Sequence, residues 1–164
     1  RVLFIDADMR KGYVHNVFRL NNHRGLSCVL DGTVGWQEAV QRFEKGGFDV
    51  LTCGPQPTHP VDLLMSERFQ DVMAQIEKRY DIVIIDTPPV LAVTDALLIA
   101  RAAATTLLVA RFGKTSVKEI ETSLKRMERM NVKVNGVILN DIVKSAALYY
   151  NSGYSAYDYG YTRE

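Results

Sequence analysis

The amino-acid sequence predicts an α/β fold with a doubly wound, mostly parallel sheet flanked by helices. Three observations support this prediction: short apolar runs rich in branched residues recur along the chain, segments with helical periodicity lie between them, and acidic residues follow two of the runs. Apolar runs without polar alternation are typical of strands buried on both faces. Their alternation with helices predicts right-handed βαβ units, whose ligands bind beyond the carboxyl ends of the strands.

Five segments are predicted as strands and two as helices. The strands are residues 2–5, 48–52, 82–85, 106–109 and 137–139. The helices are residues 67–79 and 116–130, where apolar residues recur at helical spacing. The residues predicted to face inward are Phe69, Val72, Met73 and Ile76 in the first helix and Val117, Ile120, Leu124 and Met127 in the second. Ser116 is the expected N-cap of that helix, and Glu119 three residues later is its capping-box partner.

Composition limits the classes of function. The 164 residues, 47% hydrophobic and 24% charged, suit one globular domain, and a formal net charge of +1 gives no electrostatic argument for a nucleic-acid partner. Cys28 and Cys53 lack metal-ligand spacing and are predicted to be free thiols in a reducing compartment. The most apolar stretch, residues 90–110, contains too many polar residues for a membrane span.

Acidic residues follow two of the predicted strands. Asp6 and Asp8 come directly after residues 2–5, with Arg10 two positions further, and Asp86 follows residues 82–85. Carboxylates at a strand end are the ligands that Mg²⁺ prefers, and Asp86 suits a Walker B acid that holds the water shell of the metal. The alternative for Asp6 and Asp8 is a turn that caps the next helix.

The end of the chain differs from the rest. Residues 149–164 contain tyrosine, serine, glycine and aspartate with almost no aliphatic residue, so we predict a flexible tail after a domain of residues 1–148. Six of the eight tyrosines lie in this tail: Tyr149, Tyr150, Tyr154, Tyr157, Tyr159 and Tyr161. A structural or adhesive tail is the alternative to a cluster of phosphate acceptors.

These motifs resemble those of bacterial tyrosine kinases. Asp6-x-Asp8-x-Arg10 is similar to the Walker A′ motif of that family, and Asp86-Thr87-Pro88-Pro89 resembles its Walker B motif. Gly25-Leu26-Ser27 and the segments 81–95 and 136–140 are also similar, especially to the Wzc and Etk type. The resemblance covers essentially the whole chain and implies a P-loop NTPase fold related to MinD and ParA.

The resemblance implies an ATP-dependent, Mg²⁺-requiring protein-tyrosine autokinase that phosphorylates its own tail tyrosines. Asp6 and Asp86 would bind the metal, and Asp8 would act as the base, because a phenol with a pKa of about 10 attacks poorly without a proton acceptor. Arg10 would either contact phosphate oxygens or support its loop. Asn140 would either bind the adenine edge of the nucleotide or form a turn.

The resemblance also implies a setting and a set of partners. The expected assembly is a ring-like homo-oligomer that phosphorylates in trans, with a cognate phosphotyrosine phosphatase and polysaccharide export machinery as partners and no nucleic acid. The chain would be the cytoplasmic domain of an inner-membrane protein, attached to the membrane only through a preceding region. Its role would be to regulate the synthesis and export of capsular or extracellular polysaccharide.

The sequence departs from the family pattern in two places. The GxxxxGK[ST] loop is absent, and Gly113-Lys114-Thr115 lacks the leading glycine and follows the wrong strand, so we expect the loop upstream of Arg1 and an inactive isolated fragment. Tyr13 matches an internal phosphorylated tyrosine of the Wzc and Etk branch, but Cys53 stands where an arginine would bind its phosphate. A neutral thiol cannot form that bidentate contact.

Two other classes of protein share part of this pattern. One is a ParA- or MinD-like ATPase switch, which would have no use for the tyrosine cluster. The other is a non-catalytic assembly or adaptor module, an interpretation that the absent phosphate loop leaves open.

Overall fold

The computed structural model describes residues 1–142. Its strands are β1 (Val2–Asp6), β2 (Gln41–Phe43), β3 (Phe48–Leu51), β4 (Ile82–Asp86), β5 (Leu107–Arg111) and β6 (Gly136–Asn140). Its helices are α1 (Val14–Phe18), α2 (Leu26–Asp31), α3 (Trp36–Ala39), α4 (Pro60–Met65), α5 (Glu67–Glu77), α6 (Asp95–Ala100) and α7 (Val117–Arg129). All five predicted strands and both predicted helices are present within two residues of their predicted bounds. The proposed domain boundary and the six tail tyrosines lie outside the described residues.

The strands form a mostly parallel arrangement, which confirms the predicted fold class. Strands β2-β3-β1-β4 make a four-stranded sheet in which β1 is parallel to both β3 and β4, and β2 is an antiparallel edge strand. Strands β5 and β6 form a separate parallel pair. Within residues 1–142 the strands are therefore divided between two sheets, where the sequence predicted one.

The main hydrophobic core lies between the four-stranded sheet and helices α2 to α5. Leu3 and Ile5 of β1 and Leu51 of β3 are fully buried there. Helix α5 contributes Phe69 and Ile76, in agreement with its predicted inward face. This core fixes β1, so the residues that follow its carboxyl end begin from a rigid position.

A smaller core joins helices α6 and α7, and it corrects part of the predicted inward face of α7. Met127 is buried there with Leu97, but Val117 is 71% exposed, because only the C-terminal part of α7 reaches this core. The N-terminus of α7 has the predicted capping box. Glu119 N donates to Ser116 Oγ at 3.2 Å, and Ser116 N donates to Glu119 Oε2 at 2.8 Å.

The two sheets are separated by a cleft of about 630 Å³. Val83 and Ile85 of β4 line one side, and Leu107 of β5 lines another. No strand of the described chain pairs with the free edges of β4 and β5, and large apolar side chains on these strands stay exposed, including Ile84 at 49% and Val109 at 60%. The prediction that these strands are buried on both faces is therefore wrong for the described chain, since nothing in residues 1–142 covers the faces that carry Ile84 and Val109.

None of the helices in the described part of the chain has the length and apolar character needed to cross a lipid bilayer.

Candidate active site at the carboxyl ends of strands β1 and β4

The two strand-end aspartates lie side by side. Asp6 ends β1, Asp86 ends β4, and the two residues occupy paired positions in adjacent parallel strands. The amide of Ala7 continues the ladder by donating to the Asp86 carbonyl at 2.9 Å. Because paired residues of parallel strands project from the same face of a sheet, both carboxylates lie at one edge, as the sequence predicted.

The loop after β1 is organised around Asp6 and Asp8. The Asp6 carboxylate accepts hydrogen bonds from the amides of Asp8 and Val14, both at 3.2 Å. Asp8 Oδ1 accepts from the amides of Arg10 and Lys11 at 3.0 and 2.9 Å, which closes a turn. Both of the latter bonds use Oδ1, so Oδ2 of the half-buried Asp8 has no protein partner within the described residues.

The electrostatics of this edge favour a bound cation. Burial raises the pKa of Asp6, and the charges of Asp86 and Asp8 raise it further, against the two backbone hydrogen bonds that lower it. The pKa of Asp86 is raised by loss of hydration first and by the Asp8 charge second, although solvent reaches its side chain and weakens both effects. Three acidic groups with oxygen donors therefore fit a divalent hard cation, which would relieve their repulsion.

Arg10 forms an ion pair that sequence analysis did not predict. Its Nε and Nη2 atoms donate to the two carboxylate oxygens of Asp95 at 2.9 and 3.1 Å, and Asp95 at the start of α6 is fully buried. The hydrogen bonds to Asp95 raise the pKa of Arg10. Of the two roles considered for Arg10, support of its loop matches this contact. Phosphate binding stays a prediction, and it would require the guanidinium to contact phosphate while it is paired with Asp95. The sequence held one indication of this role for Asp95, because it is a charged residue within the most apolar stretch, residues 90–110.

Cys53 lies beneath the β1 loop. A Cβ atom at Gly12 would meet Cys53 Sγ at 2.5 Å and Asp6 Oδ2 at 2.7 Å, so only glycine allows this close approach. Burial raises the pKa of the Cys53 thiol to about 11, and the charge of Asp6 contributes. Tyr13, directly after Gly12, is 67% exposed, and its phosphorylation stays a prediction.

Cys53 is held in place by the segment that precedes α2. The side chain of Asn22 accepts a hydrogen bond from the Gly54 amide at 2.8 Å and donates to the Gly54 carbonyl at 3.0 Å. The amide of Ser27 donates to the Cys53 carbonyl at 2.9 Å. The Gly25-Leu26-Ser27 motif therefore contributes to the site indirectly, by fixing the turn after β3.

Asn140 and the glycine-lysine-threonine segment lie on the second sheet. Asn140 ends β6, its side chain is exposed, and its carbonyl accepts from the Phe112 amide at 2.9 Å. Its contact with a nucleotide stays a prediction. Gly113 has a φ of 67° in the turn after β5, remote in sequence from the acidic edge. Residues 113–115 therefore lie in the turn between β5 and α7.

Comparisons with known proteins agree with this geometry. Residues 1–139 match the family described as AAA domain. The chain is 46% identical to the tyrosine-protein kinase etk of Escherichia coli K12 over 151 residues and 47% identical to wzc of Salmonella typhimurium over 159 residues. These matches include 92% and 97% of the chain but only 21% and 22% of the relatives, so the chain spans about a fifth of their length.

Solved structures support the same assignment. The kinase domain of Escherichia coli Etk superimposes with a TM-score of 0.86 at 45% identity, covering 98% of this chain and 60% of that one. A ParA family ATPase from Chlorobium tepidum superimposes with a TM-score of 0.69 at 15% identity, covering 90% of this chain and 63% of that one, which shows a shared fold only. The chain belongs to the family described as AAA domain, and it is similar in sequence and structure to the tyrosine-protein kinases Etk and Wzc.

Proposed function

We propose that this chain carries the acidic half of the active site of an ATP-dependent protein-tyrosine kinase that phosphorylates its own tyrosines. The observation that carries the proposal is the group of three carboxylates, Asp6, Asp8 and Asp86, at the ends of two adjacent parallel strands. The similarity to Etk and Wzc supports tyrosine as the acceptor.

Each acidic residue has a distinct proposed role. Asp6 and Asp86 would hold Mg²⁺ through its water shell, and the bound metal would neutralise charge on the transferring phosphoryl group. Asp8 would accept the proton that a tyrosine hydroxyl loses as its oxygen bonds to the γ-phosphorus of ATP and the bond from that phosphorus to the departing ADP breaks. The Oδ2 atom of Asp8, which has no protein partner within the described residues, is the suitable acceptor. The Arg10–Asp95 pair would hold Asp8 in position by fixing its loop to α6.

The phosphate-binding loop would come from another part of a longer polypeptide. The cleft between β4 and β5 supports this proposal, because it has apolar walls and a free strand edge on each side. A parallel strand placed there would end at the same edge as Asp6 and Asp86. Its following loop could then bind the phosphates through backbone amides, and Asn140 could contact the base.

The wider setting follows from the family resemblance. We propose that the tail tyrosines are phosphorylated in trans within a ring-like assembly, that a phosphotyrosine phosphatase reverses the reaction, and that the cycle regulates polysaccharide synthesis and export. The membrane attachment would come from a region outside these 164 residues.

The test replaces Asp8 by asparagine in the full-length protein. The amide keeps the shape and loses the charge and basicity, so phosphotyrosine formation with Mg²⁺ and ATP should fall by about 10²-fold or more. Asp71→Asn, on the exposed face of α5, is the matched control and should leave the rate unchanged. Both variants should unfold at the wild-type denaturant concentration. Near-normal labelling of Asp8→Asn would remove Asp8 from the mechanism, and ATP hydrolysis without any phosphotyrosine would favour a ParA- or MinD-like switch.

A further inference from the structure

A second group of metal-ligand side chains lies beneath the acidic edge. A carboxylate oxygen of Asp6, a ring nitrogen of His15 and Sγ of Cys53 all lie within 4.8 Å of one another. The three residues come from the end of β1, from α1 and from the turn after β3. Asp6 and Cys53 are buried, and His15 is partly buried, so the group is enclosed by protein and has one side nearer to solvent.

The donor atoms match the preferences of a zinc-like ion and differ from those of Mg²⁺. Thiolate sulfur, imidazole nitrogen and carboxylate oxygen are all zinc ligands, and these three residues would leave a fourth tetrahedral position open. In a tetrahedral zinc site with usual bond lengths, neighbouring ligand atoms are about 3.6 Å apart. The ligand atoms would therefore need to approach one another by at most about 1.2 Å, which small side-chain rotations can supply.

An unpaired histidine nitrogen provides an independent sign of a ligand. His15 Nδ1 is buried and has no hydrogen-bond partner within residues 1–142. A buried polar atom without a partner is costly and rare in folded proteins, and a bound ion is one of the ordinary explanations. The absence of a side chain at Gly12 keeps Cys53 Sγ and the Asp6 carboxylate in the same enclosed space.

We propose that Asp6, His15 and Cys53 form a binding site for a zinc-like transition-metal ion. The ion would attach α1 to the turn after β3 and would use a carboxylate that also belongs to the acidic edge. If the proposed kinase function holds, binding would inhibit it, because Asp6 cannot serve Mg²⁺ fully while it binds the second ion. Sequence spacing concealed this site, since its members are 9 and 38 residues apart along the chain.

Direct metal binding provides the first test and is independent of kinase activity. Reduced, metal-free chain is titrated with Co²⁺, and thiolate ligation is detected as a sulfur-to-cobalt charge-transfer band, followed by displacement with Zn²⁺. Wild-type protein should bind one ion with this band. Cys53→Ser should lose the band, and His15→Gln should weaken binding by at least tenfold.

The matched controls are Cys28→Ser and His59→Gln, which replace the other thiol and a histidine outside the cluster. Both should bind as wild type does. No charge-transfer band in wild type, or a band that depends on Cys28 and survives Cys53→Ser, would overturn the site. Since His15 is only partly buried, His15→Gln keeps the test decisive if Cys53→Ser perturbs folding.

A second arm tests the consequence in the full-length protein. Zn²⁺ should reduce phosphotyrosine formation by wild type and Cys28→Ser, and Cys53→Ser should resist it. Metal binding without any effect on phosphorylation would leave the site in place and remove its inhibitory role. If the full-length protein formed no phosphotyrosine at all, the kinase proposal would fail while the cobalt titration still decided the metal site.

Discussion

Removing Arg10 should destabilise the fold more than removing Asp95, although the two side chains form one ion pair. Asp95 is 0% exposed, so Arg10→Gln leaves a buried carboxylate without its cation, at a cost of about 3 kcal/mol in the free energy of unfolding. Arg10 is 35% exposed, and without Asp95 its guanidinium can turn toward water. We therefore expect Asp95→Asn to cost only about 1.5 kcal/mol.

Denaturant unfolding of the two single variants and the double variant measures this asymmetry. The double variant should lose less stability than the two single losses added together, because it contains no unpaired buried charge. Arg42→Gln is the control, since the Arg42–Asp49 pair is partly exposed and should contribute less than about 1 kcal/mol. Equal losses for the two single variants, or an Arg10→Gln loss no larger than that of the control, would refute the argument.

Two further predictions concern α7 and β3. Ser116→Ala removes the capping box and should lower the free energy of unfolding by about 1 kcal/mol, measured with denaturant. Thr122→Ala on the exposed side of the same helix should change it by less than about 0.5 kcal/mol. Equal effects of the two variants would contradict the role of the cap. Tyr80→Phe removes the 2.9 Å hydrogen bond from its hydroxyl to Asp49 and should cost about 1.5 kcal/mol at neutral pH. Burial alone would raise the pKa of Asp49, but the hydrogen bonds from Arg42 and Tyr80 outweigh burial and lower the pKa. The stabilisation that the ionised Asp49 contributes is therefore present above its unfolded-state pKa of about 3.9 and is lost as the pH falls through the lower pKa of the folded state. A Tyr80→Phe effect that is the same at neutral pH and at about pH 2 would contradict this linkage.

The sequence predicts the acidic edge because a general rule of sheet topology applies to it. Apolar runs identify β1 and β4, and parallel strands bring their carboxyl ends to one edge, so Asp6 and Asp86 could be expected together although 80 residues separate them. The capping box of α7 was predictable for a different reason. It is local, and the spacing of Ser116 and Glu119 alone defines it.

The contacts that sequence analysis missed depend on how separate elements pack. The Arg10–Asp95 pair joins residues 85 positions apart, and nothing in the spacing of either residue indicates the other. Cys53 was predicted to be a thiol without ligand partners, yet the turn after β3 places it beside Asp6 and His15. Strand β2 was also missed, because a three-residue edge strand is too short to show a period.

The failed prediction of burial for β4 and β5 links the fold to the proposed chemistry. Their apolar sequences are those of strands covered on both faces, but Ile84 and Val109 are exposed. A cleft lined by Val83, Ile85 and Leu107 lies between the free edges of the two strands. A parallel strand in that cleft would pair with both free edges, and a helix that follows it could cover an exposed face. The loop between that strand and its helix would lie at the edge that holds Asp6 and Asp86. One added strand–loop–helix unit would therefore supply both the missing apolar contacts and the position from which backbone amides can bind phosphate. On this argument, stability and nucleotide binding in the longer protein depend on the same strand, and a substitution that prevents its insertion should weaken both together.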